Sequence, residues 1–117
     1  MVEAARGVLN QFLPDIFIFA DVATGSQTGK SPGYGCCLTA ESTNDNVRIS
    51  AEVMSGHKSP DGSSTLIPAE DVGQLAALKL LEAIGQSGVA DPVAQPLMIL
   101  FAALNPGSVR DGNFSRF

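Results

Sequence analysis

Tryptophan is absent, tyrosine and histidine occur once each, and charged residues make up only 16% of the chain. One histidine cannot supply a multi-ligand metal set. The two cysteines, Cys36 and Cys37, are adjacent, a spacing that neither staples distant segments nor suits a zinc site. Long apolar runs are missing as well: the longest, Pro96 to Leu104, falls far short of the roughly 20 residues a bilayer span needs, so no membrane role is expected. Basic residues are scarce, with seven Lys and Arg against twelve Asp and Glu and a net charge of -5. That balance suits polyphosphate poorly, and contact with nucleic acid would require a local patch or a partner. The start, MVEAARGVLNQFLPD, has no basic stretch leading into an apolar one, so an intracellular chain is expected and the sequon Asn113-Phe114-Ser115 is discounted. What remains is a 117-residue chain, 44% hydrophobic, too apolar for intrinsic disorder and the size of one domain or a piece of one.

Local patterns predict the elements. Val2 to Leu13 reads as a helix with Val8, Leu9 and Phe12 on one face, stopped by Pro14. Ile16 to Ala20 is a continuous apolar run between Asp15 and Asp21, the pattern of a strand covered on both faces. Residues 22 to 34, rich in Gly, Ser and Thr, read as a long loop. Tyr34 to Ser42 and Val47 to Met54 form a hairpin closed by a type I′ turn at Asn44-Asp45. Counting outward from that turn sets Glu41 against Arg48, Thr39 against Ser50, Cys37 against Glu52, Ala40 against Ile49 and Leu38 against Ala51. One face is then polar, the other apolar, and Glu41 with Arg48 becomes an exposed cross-strand ion pair.

Ser55 to Ile67 reads as a second loop. A helix follows with Pro68 at its first position, Glu70 and Asp71 at its amino end, and an extent to about Ile84. Its apolar residues surround it, so it should touch neighbours on more than one side. A third helix, about Val93 to Leu104, has Asp91 or Gln95 as its cap, and the tail from Asn105 looks frayed. The order helix, strand, strand, strand, helix, helix makes a small α/β sandwich, of α+β type, whose core looks incomplete.

No catalytic or cofactor-binding constellation emerges from these residues. Gly29-Lys30-Ser31 follows an apolar run as in a phosphate loop, but Thr24 stands where the first glycine is needed, and Pro32-Gly33 leads into a strand rather than a helix. The same letters imitate a serine-nucleophile elbow and fail for the same missing helix. His57 lies in a polar loop with no ligand cluster beside it. Asp15 and Asp21 sit roughly 20 Å apart along an extended strand, too far for paired acid and base work. Cys36 faces inward by the hairpin register and reads as a small hydrophobe. Catalytic, cofactor and metal residues are therefore all expected to be none.

Several stretches, taken together and in order, carry a family resemblance: Phe12 to Phe19 (FLPDIFIF), Gly29 to Gly35 (GKSPGYG), Leu38 to Thr43 (LTAEST), Pro68 to Gly73 (PAEDVG), Leu80 to Ile84 (LLEAI) and Gly88 to Asp91 (GVAD). They resemble the carboxy-terminal half of the RNA 3′-terminal phosphate cyclase-like proteins of ribosome assembly, over about Ala4 to Leu104. The resemblance implies a partial cyclase fold. Residues 1–54 would belong to the smaller inserted α/β domain and its exit hairpin, 55–67 to a loop, and 68–117 to the helical part of the last main-domain repeat. True cyclases pass adenylate through a histidine near their carboxy end; here nothing after His57 is histidine, although a longer form could carry one beyond Phe117. Aligning Gln95 with the glutamine of a cyclase segment resembling Tyr-Leu-Ala-Asp-Gln puts Asp91 and Ala94 at the tyrosine and aspartate positions. The implied protein is thus a non-catalytic factor in small-subunit (18S) rRNA processing, a nucleolar scaffold. It would bind a ribosome-assembly GTPase and other processome proteins, and pre-rRNA through the full-length protein. Lys30 and Arg48 are the basic residues nearest the most specific loop. The alternative is an ATP-dependent RNA 3′-terminal phosphate cyclase, and a truncated product without activity is a third reading.

Overall fold

The computed structural model describes residues 1–30, 33–43, 47–58, 64–86, 88 and 90–104. The described elements are helix α1 (Val2–Leu9), a 3-10 turn (Gly25–Gln27), strands β1 (Gly35–Glu41), β2 (Arg48–Met54), β3 (Gly56–Lys58) and β4 (Ser64–Leu66), then helices α2 (Ala69–Gly85) and α3 (Gln95–Leu104). The class is α+β: two antiparallel hairpins, β1-β2 and β3-β4, with α2 laid against the first and α1 packed on α2.

The β1-β2 hairpin has the register counted from the turn, from Glu41↔Arg48 through Cys37↔Glu52 to Gly35↔Met54. The Arg48 Nη2 to Glu41 Oε1 distance is 2.6 Å, and Nε donates to the same oxygen at 2.7 Å. The turn itself, Asn44 to Asn46, lies outside the described residues. Cys36, Leu38, Ile49 and Val53 are buried under α2, joined from the helices by Ala5, Leu9, Val72, Ala76, Ala77 and Leu80. The opposite face carries exposed Cys37, Thr39, Glu41, Arg48 and Glu52.

Three expectations are corrected. First, Ile16 to Ala20 is not a strand, and it is covered on one side only: Ile16 and Ile18 pack on the core, whereas Phe17 and Phe19 are 78% and 88% exposed. An unbroken apolar run does not report which flank is covered. The chain enters this segment through Asp15 in the left-handed region, φ 54, a conformation Asp tolerates better than most residues. Second, Ser55 to Ile67 is not simply a loop. The Ile67 N–H donates to the Ser55 carbonyl at 2.9 Å, and that pairing continues as Gly56↔Leu66, His57↔Thr65 and Lys58↔Ser64. Because these strands lack apolar alternation, periodicity could not reveal them. The tip of this hairpin, including Pro60, Asp61 and Gly62, falls outside the described residues. Third, helix ends shift. α1 stops at Leu9, where the N–H groups of Phe12 and Leu13 both turn back to the Leu9 carbonyl at 2.9 Å, leaving Phe12 66% exposed. Pro68 is the cap of α2 rather than its first residue, and α3 is regular only from Gln95. The expected frayed tail from Asn105 is not among the described residues.

The α1–α2 contact rests on a glycine. A β-carbon on Gly73 would stand 2.3 Å from the Met1 carbonyl oxygen, backbone against backbone. Gly73→Ala is therefore expected to destabilise the chain by about 1–2 kcal/mol in urea unfolding, because α1 must back away from α2. Gly7→Ala, on the exposed side of α1 with nothing within 4 Å, is expected to be neutral or stabilising by about 0.5–1 kcal/mol.

Candidate functional site

Asp91 is the buried carboxylate among the described residues, 7% exposed. Its Oδ1 accepts hydrogen bonds from the backbone N–H groups of Val93 (3.1 Å) and Ala94 (2.9 Å), so of the two candidate caps, Asp91 and Gln95, it is Asp91 that has the capping geometry. Its Oδ2 accepts from the Ser50 hydroxyl at 2.8 Å and the Ser50 N–H at 3.2 Å. The Ser50 N–H is available because the register alternates. Ser42 to Val47 and Tyr34 to Ser55 are hydrogen-bonded pairs, so every second residue of β2, Ser50 included, turns its backbone groups away from β1. One side chain thus caps the turn into α3 and occupies the outer edge of β2. Burial would raise the Asp91 carboxyl, but the bonds from Ala94, Ser50 and Val93 outweigh it and hold the group below its ordinary value of 3.8. A carboxylate so bound is a strut: both oxygens are occupied by donors of its own fold. Gln95, one turn further on, is 2% exposed, and Ala94 is half-buried beside it.

A second junction ties the hairpins together. The Tyr34 N–H donates to Ser55 Oγ at 3.0 Å, the Ser55 N–H donates to the Tyr34 carbonyl at 2.8 Å, and the Tyr34 hydroxyl donates to the Ile67 carbonyl. The lone tyrosine therefore clamps the entry of β1 to the exit of β4. Ser50 and Ser55, the residues on which both junctions turn, were missed in the sequence because an isolated serine in a strand carries no signal of a long-range partner.

The other singled-out residues are dispersed. Lys30 is exposed at the rim of a groove of about 990 Å³ that is also lined by Ile18, Ala20, Gly35, Cys36 and Cys37. Ser31 lies outside the described residues, and Thr24 immediately precedes the short 3-10 turn, its carbonyl accepting from the Gln27 N–H at 3.3 Å. His57 stands in β3 opposite Thr65. Arg48 is engaged with Glu41. Among the described residues no group of three His, Cys, Asp or Glu is gathered for a metal, and no helix is long and apolar enough to cross a membrane. Cys36 is buried as expected, and burial, reinforced by the neighbouring Cys37, pushes its thiol upward.

Residues 1–85 match the family described as RNA 3'-terminal phosphate cyclase (RTC), insert domain, a range that runs from α1 through α2. The chain belongs to the RNA 3'-terminal phosphate cyclase family. Within it, the chain is 40% identical over 109 residues to the RNA 3'-terminal phosphate cyclase-like protein of Mus musculus, covering 93% of this chain and 28% of the relative. It is 47% identical over 96 residues to the rRNA processing protein rcl1 of Schizosaccharomyces pombe, covering 82% and 24%. It is 41% identical over 124 residues to the probable RNA 3'-terminal phosphate cyclase-like protein of Arabidopsis thaliana, covering 97% and 33%. The chain thus spans about a quarter to a third of the length of these relatives. The resemblance carried by GKSPGYG, LTAEST and the flanking stretches holds, and with it the partial cyclase fold.

Two measurements check this geometry. Asp91→Ala is expected to cost about 1–3 kcal/mol in urea unfolding through lost capping and the unpartnered Ser50 donors. Because the folded Asp91 value is depressed, its contribution is complete above about pH 4 and disappears as pH falls through the folded value. Stability measured from pH 6 down to pH 2 should therefore decline less steeply in Asp91→Asn than in the parent. A thiol reagent at neutral pH should label exposed Cys37 rapidly and buried Cys36 only on unfolding.

Proposed function

We infer that this chain is part of a non-catalytic cyclase-like factor that acts as a scaffold in rRNA processing. Asp91 carries the reading. By the family resemblance it stands where a cyclase has tyrosine, and its two oxygens hold a helix turn to a strand edge, an architectural duty at a position the enzymes use for chemistry. Relatives named cyclase-like, together with one named rRNA processing protein, support the same direction. The finer content is small-subunit (18S) processing in the nucleolus, with docking to a ribosome-assembly GTPase and other processome proteins and pre-rRNA held through the full-length protein. The net charge of -5 favours protein over phosphate as the neighbour of this portion.

The test uses the full-length protein. Incubation with ATP and labelled 3′-phosphorylated RNA is expected to yield neither adenylated protein nor a 2′,3′-cyclic end, and depletion in cells is expected to accumulate 18S precursors. Cyclic product from the purified protein would establish the enzymatic alternative instead.

A further inference from the structure

We draw no further inference here: the strongest candidate, the apolar face of α3 on which Leu97, Leu100, Phe101 and Leu104 stand exposed, carries none because nothing in the structure shows what covers it.

Discussion

Everything in this fold is arranged around how closely α1 can approach α2. The contact face of α2 is built of small residues, Gly73, Ala76 and Ala77, with Val72 and Leu80 flanking them, and the backbone of Met1 sits where the side chain of Gly73 would be. Small side chains let two helices meet with their backbones nearly touching, so the larger residues Leu9 and Leu80 can fill the space at the margins. The hairpin then has one surface to lie on, which is why its apolar face is buried and its register is unambiguous.

Two polar junctions complete what packing begins. Tyr34 and Ser55 tie the base of one hairpin to the other, and Asp91 ties the edge of β2 to the turn before α3. The first continues the β1-β2 ladder by one hydrogen-bonded pair, and the second uses the Ser50 N–H that the register turns away from β1, so the ladder decides where the junctions can form. Asp91 is committed to holding the structure together, with both carboxylate oxygens taken by donors of β2 and of the turn into α3.

The legible part of the structure was the part written in short-range chemistry. The register of β1 and β2 follows from turn residues and parity, down to Glu41 against Arg48, and the inward placement of Cys36 follows with it. The second and third helices were visible through acidic residues and prolines at their starts, and the first through its apolar face, although it ends at Leu9, well before Pro14. Asp91 was readable as one of two candidate caps, with Gln95 the other, but its second partner was not, because Ser50 is 41 residues away and nothing local marks it. The run Ile16 to Ala20 misled for a related reason. Its apolar character is real, but whether a neighbour covers each side is a property of the assembled fold, and Phe17 and Phe19 face outward. β3 and β4 stayed hidden because they are held by backbone pairing seeded at Ser55 and Ile67 rather than by side-chain pattern.

The reach of Asp91 has a kinetic consequence. A ten-residue helix without charged side chains nucleates poorly by itself, and the donors that prime α3 are gathered by a carboxylate that is fixed in place only once β2 exists. Loop closure between Ser50 and Asp91 must come first. During refolding, therefore, α3 should be the last helix to become ordered, and its arrival should report that the distant strand has already docked.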